Sequence, residues 1–234
     1  MMKKMTRVFG FTMISLVFSS GAWADGAARF AYENSQGGVT AGSARQVSGE
    51  NGSAARARAI HSDGQGNVET ATGRSVQGVN GGSAARTGST TLGADGSAQR
   101  QSSTEVNAAR GQAGRQVSSS VGADGTVTRG RNTSVQGVNG GSVAHTGGTT
   151  LGADGSVQHQ SGSDISTARG QAGRQVSSSV DADGNVTRAR DTTVTSAATG
   201  NSRQGHTTYN SSSGLTHSAT CYDASGNVIA CPAR

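Results

Sequence analysis

Leu92-Gly93-Ala94-Asp95-Gly96-Ser97-Ala98 reads as the tip of a β-hairpin. In Ala94-Asp95-Gly96, two right-handed residues followed by a left-handed glycine give a three-residue loop closed by a bulge. Ala-Asp-Gly returns at 123–125, 153–155 and 182–184, so its aspartates step by 29, 30 and 29 residues. The register of that loop places Leu92 against Ala98, Val121 against Val127, Leu151 against Val157 and Val180 against Val186. A related turn, Ala224-Ser225-Gly226, sets Tyr222 against Val228. Five apolar cross-strand pairs at one position argue for strands in a fixed register. Asp95, Gly96, Asp124, Gly125, Asp154, Gly155, Asp183 and Gly184 define the turns, the aspartates by favouring the turn itself.

Midway between these tips lie further glycine-rich breaks, either Asn80-Gly81-Gly82 or Gly111-Gln112-Ala113-Gly114. Asn-Gly suits a type I′ turn, in which both central residues take positive φ. Breaks therefore arrive about every fifteen residues, with Ser, Thr, Val and Gln between them. A longer period contains this one: residues 75–133 recur as 134–192 with 44 matches in 59 positions. Fixed self-similarity is the mark of a repeat architecture. Along one stretch Val176, Ser178 and Val180 share a face and Gln175, Ser177 and Ser179 the other, which leaves only a thin valine seam. The expected fold is all-β, with antiparallel β-hairpin repeats of about 30 residues forming an extended repeat sheet or a β-solenoid-like stack. Disorder of the isolated chain is the competing state, because Gly/Ser/Gln-rich sequence offers little to offset ordering entropy.

Composition bounds what such a chain does. Among 234 residues, 37 are glycine, hydrophobic residues make up 32% and aromatics 3%. An enzyme with an aromatic-lined pocket is not expected from so little apolar material. Lys3, Lys4 and Arg7 precede an apolar run from Val8 to Phe18 and the small-residue ending Ala22-Trp23-Ala24. This pattern is that of a secretory signal cleaved after Ala24, and the run is shorter than the ~20 apolar residues of a membrane span. The expected organisation is a signal at 1–24, a poorly ordered polar segment at 25–60, a β-repeat array at 61–192 and a divergent repeat at 193–234. The expected location is exported: periplasmic, cell-surface or secreted, with no stable membrane span after signal removal. The remaining chain holds 17 arginines, no lysine and 14 acidic residues, a net charge of only +3. Its arginines are spread along the chain and form no block.

Cys221 and Cys231 are the only cysteines, and an even count in an exported chain suggests one disulfide. With the loop at 224–226, Cys221 faces residue 229, and Cys231 is only its diagonal neighbour. Diagonal Cα atoms lie roughly 7–8 Å apart, beyond ordinary disulfide reach. Either an extra bulge shifts the last strand, or the final residues leave it and fold back. Pro232 favours fold-back.

No catalytic constellation stands out. There is no Gly-x-Ser-x-Gly, no His-Glu-x-x-His and no phosphate loop. No cofactor is expected. Asp181 and Asp183 are weak calcium candidates, since calcium wants six to eight oxygens and the other Ala-Asp-Gly loops offer one aspartate each. His145 and His159 replace Arg86 and Arg100 of the preceding copy, which marks both as solvated polar sites. Thr128-Arg129-Gly130-Arg131 and Ala168-Arg169-Gly170-Gln171 suit contact with a polyanion, although solvated strand faces are their ordinary role.

Tyr222-Asp223-Ala224-Ser225-Gly226-Asn227-Val228 resembles one tyrosine–aspartate repeat of the large bacterial shell proteins. Val180-Asp181-Ala182-Asp183-Gly184-Asn185-Val186 is similar but lacks the tyrosine, so the resemblance covers two short turns. The Gln/Asn/Gly/Ser bias resembles curlin-type amyloid subunits, whose spaced Gln and Asn ladder is not reproduced here. The leading expectation is an exported, non-enzymatic structural protein of a cell surface or extracellular matrix, with itself as main partner in a homo-oligomer or fibre. The alternative is a binding module whose arginine-bearing faces hold an anionic polysaccharide or extracellular DNA.

Overall fold

A computed structural model describes residues 26–232, so the signal segment and its cleavage position at Ala24 lie outside the described residues. The described residues form fifteen strands. In order these are β1 (Gly26–Glu33), β2 (Val39–Gly49), β3 (Gly52–Ser62), β4 (Val68–Gly78), β5 (Ser83–Leu92), β6 (Ala98–Ala108), β7 (Gly111–Val121) and β8 (Val127–Gly137). They continue as β9 (Ser142–Leu151), β10 (Val157–Thr167), β11 (Gly170–Val180), β12 (Val186–Ser196), β13 (Ser202–Asn210), β14 (Gly214–Tyr222) and β15 (Val228–Ile229). All belong to one open antiparallel sheet in which spatial order equals chain order. The fold is all-β, a repeat sheet of regular hairpins.

Each strand touches only the strands before and after it in sequence, so the sheet is a single layer. At about 4.8 Å per strand it extends roughly 67 Å, with strands about 37 Å long. There is almost no core. Gly38, Thr40 at 7% and Cys221 at 4% exposure are the buried residues among those described, while Val76, Val135 and Val194 remain about half exposed. Stability therefore rests on the backbone ladders, on cross-strand side-chain pairs and on tight turns that lower the cost of each reversal.

All five expected apolar pairs are present: Leu92 with Ala98, Val121 with Val127, Leu151 with Val157, Val180 with Val186 and Tyr222 with Val228. At the first tip the Gly93 N–H donates to the Ser97 carbonyl at 2.8 Å and Gly96 takes φ +84°. The four Ala-Asp-Gly tips lie along one edge of the sheet. The turn at 224–226 reverses the chain at the opposite edge, because it is the third reversal after the tip at 182–184.

Three local expectations need correction. Asn80-Gly81 is not a type I′ turn: no non-glycine residue among those described has positive φ, and only Gly81 does, at +77°. The Gly78 N–H donates to the Gly82 carbonyl, so Val79-Asn80-Gly81 repeats the three-residue bulged loop. Taking in Val79 lets Asn80 stay right-handed and leaves the left-handed position to glycine, at no steric cost. Second, the break at Gly111-Gln112-Ala113-Gly114 is strand. The reversal falls on residues 109–110, and Gly111 opens β7 at φ +138°. A Cβ on Gly111 would collide with the Gln136 carbonyl oxygen of β8, so that glycine serves close strand approach. Gly52 and Gly170 occupy the same position at offsets of 59. Third, residues 26–60, expected to be poorly ordered, supply β1, β2 and most of β3 to the sheet. Gly52 shows that the 59-residue pattern already runs through this segment, although its sequence has diverged.

Candidate functional site

Strand alternation and the register together sort every side chain onto one of two faces. Direct partners in an antiparallel pair point to the same side, so each row of partners can be followed across the sheet. One row runs Arg45, Arg56, Arg74, Arg86, Thr104, Arg115, Thr133, His145, Ser163, Arg174 and Thr192. The next row on the same face carries Arg29, Arg58, Arg131 and Arg190, and the one beyond it Arg100, Arg129 and Arg188. Arg203 lies on this face as well, opposite Val194. All fourteen strand arginines of the described residues thus share one face.

The strand carboxylates go the other way. Glu69, Glu105, Asp164 and Asp191 lie on the opposite face, and among the described residues Glu33 at the end of β1 is the one strand carboxylate on the arginine side. The result is a sheet with one strongly cationic face and one weakly anionic face. Thirteen of the fourteen arginines are exposed, and Arg203 is half-buried. Among the described residues no arginine has an ion-pair partner; the one acid–base contact joins His206 and Asp191 across the anionic face. Arg58 Nε donates to Ser43 Oγ at 3.3 Å and Arg131 Nε to Thr133 Oγ1 at 3.4 Å, both long bonds that leave the guanidinium forks free.

Two apolar rows frame the arginine band. Along the Ala-Asp-Gly edge run Val68, Leu92, Ala98, Val121, Val127, Leu151, Val157, Val180 and Val186, the seam expected from the turns. A second row lies near the other edge and contains Val47, Val76, Val106, Val135, Val143, Ile165 and Val194. Sequence reading missed it. Its signal is the valine or isoleucine two residues before the last residue of each strand that ends on that edge, as in Val76-Gln77-Gly78 and Val135-Gln136-Gly137.

His145 and His159 occupy arginine-face positions and bond Ser163 Oγ and Thr149 Oγ1, each at 2.9 Å, as solvated polar sites do. Asp95, Asp124 and Asp154 each accept the backbone N–H two residues on, at 2.9, 2.9 and 3.0 Å. Bonds from the Ser97 hydroxyl, the Thr126 N–H and the Ser156 hydroxyl are the largest causes that hold these three carboxyls below the usual aspartate range. In the fourth tip the role passes to Asp181, whose carboxylate accepts the Asn185 amide and the Asp183 and Asn185 N–H groups. Asp63 with Asn67 and Asp223 with Asn227 repeat that second arrangement. Asp181 is thus occupied by the turn, and no cluster of three or more metal-ligating side chains occurs among the described residues.

Cys221 and Cys231 form the disulfide, with Cα atoms 5.2 Å apart. β15 keeps the expected register, Cys221 facing Ile229, and the chain then leaves the strand to bring Cys231 back onto β14. No family model matches the chain, and neither a curated protein nor a solved structure matches it.

Proposed function

We propose that this is an exported, non-enzymatic structural repeat protein of a bacterial-type cell surface or matrix, whose sheet holds an anionic polymer on its arginine face. The observation that carries the reading is the segregation of fourteen strand arginines from four of the five strand carboxylates. Opposed like charges cost stability in a sheet. A coreless layer that keeps them unpaired has a use for an anion that neutralises them. Guanidinium forks match carboxylate, sulfate and phosphate groups bidentately. The test is retention of the mature chain on immobilised polygalacturonate and duplex DNA across a salt gradient. Binding at low salt that is lost by about 0.5 M salt supports the reading. Absence of low-salt binding to either polymer overturns it.

Self-association is favoured separately by the sheet's ends. The outer edge of β1 pairs with no strand among the described residues, and β1 carries exposed Phe30 and Tyr32, whose rings stack on each other with centroids 6.2 Å apart. An unpaired edge is a template for another chain. Electron microscopy of the mature protein over days checks this, and persistent monodisperse monomers would end it.

A further inference from the structure

The arginines are densest at one end of the face. Arg45, Arg56, Arg74 and Arg86 are direct cross-strand partners on β2, β3, β4 and β5. The row therefore presents one guanidinium per ~4.8 Å along a line perpendicular to the strands. These four border a shallow trough of about 860 Å³, with Arg29, Arg58 and Arg100 in its wall. Between the arginines the wall is neutral and mostly hydroxylated or small, with Ser43, Thr70, Thr72, Thr90 and Ser102 among its residues. It contains no carboxylate and no aromatic ring.

We infer that this trough binds an acidic polysaccharide, a chain of uronic-acid sugars laid across the strands with successive carboxylates on Arg45, Arg56, Arg74 and Arg86. The inference rests on the polyanion reading above and narrows it to one region and one ligand chemistry. The strand spacing is close to the length of one sugar ring, and a polyuronate offers one carboxylate per sugar. The serine and threonine hydroxyls donate to and accept from sugar hydroxyls. Single-stranded nucleic acid needs aromatic platforms for its bases, and the trough has none. Duplex DNA displays its base edges inside grooves that admit a helix or a two-stranded ribbon, so a broad sheet face meets phosphates alone.

The experiment compares binding of the mature protein to polygalacturonate, to its neutral methyl ester and to duplex DNA at one salt concentration. The wild type binds polygalacturonate and not the ester, and prefers it to DNA. R45Q/R56Q/R74Q/R86Q lowers polygalacturonate affinity about tenfold or more, while R129Q/R131Q/R188Q/R190Q, which removes equal charge from other strands, lowers it no more than about threefold. Circular dichroism verifies the fold of each variant. R56Q alone, at the centre of the row, lowers affinity about threefold and carries the test if the quadruple variant misfolds. Equal losses from the two quadruple variants overturn the trough as the site and leave the polyanion reading standing. Tight binding to DNA with no polygalacturonate binding overturns the ligand assignment alone. Binding to neither polymer overturns both.

Discussion

Arg56 stands directly opposite Arg74 on neighbouring strands, both side chains exposed on a face whose only strand carboxylate among the described residues is Glu33. The pair is flanked by Arg45 on one side and Arg86 on the other. Arg56→Thr is expected to raise Tm at low ionic strength by about 1–2 °C, since opposed like charges destabilise a sheet and small free-energy changes move Tm by that much at this chain length. The gain should shrink as salt screens the wild-type row. Calorimetry at two salt concentrations checks it; a lower Tm for the variant at low salt would contradict the repulsion.

Gly111 and Gly73 separate two uses of glycine in a strand. Gly111 holds φ +138° with the β8 backbone against it, whereas a Cβ on Gly73 meets nothing within 4 Å. Gly111→Ala should cost about 1–3 kcal/mol through strain at positive φ. Gly73→Ala should be neutral or stabilising by about 0.5 kcal/mol, because alanine loses less freedom on folding. Denaturant titrations of the two variants give the comparison.

Acid should weaken the turn-bearing edge. Asp63, Asp95, Asp124, Asp154 and Asp181 all have carboxyls lowered from an ordinary value of 3.8 by the bonds they accept. A carboxyl lowered in the folded state contributes stability above its unfolded pKa, and that contribution is lost as pH falls through the folded value. Tm is therefore expected to hold from neutral pH to about pH 5 and to fall below about pH 4. In D95N/D124N/D154N the fall should be shallower. A melting profile identical to wild type in acid would show that these bonds do not couple to folding.

The Cys221–Cys231 disulfide closes the chain end onto β14 across a separation of 10 residues. Cys231→Ser should release β15 and lower the stability of that end by about 2–3 kcal/mol, as expected for a short closed loop. Because each strand contacts only its neighbours, the loss should stay local. Hydrogen exchange should speed up at Cys221 and Asp223, whose amides point toward β15, and remain unchanged in β5–β8. Uniform loss of protection across the sheet would show more cooperativity than nearest-neighbour contacts provide.

Turn chemistry and the register beside each tip were legible in the sequence because both are local. Loop length and the position of the left-handed glycine determine which residues pair on either side, and all five apolar pairs follow from them. The arginine face was not legible, and the reason lies in how parity accumulates. A type I′ turn on Asn80-Gly81 would set Val79 against Gly82 and shift the β4–β5 register by one residue. Arg74 would then face Thr87, and Arg86 would move to the other face. The bulged three-residue loop instead pairs Gln77 with Ser83 and Arg74 with Arg86. A one-residue slip inverts every side chain of the following strand, so the gathering of scattered arginines into one cationic surface depends on the combined lengths of all the reversals. Local residue chemistry determined the Ala-Asp-Gly turns; only the assembled sheet decided the length of the Val79-Asn80-Gly81 loop and that the charges share a face.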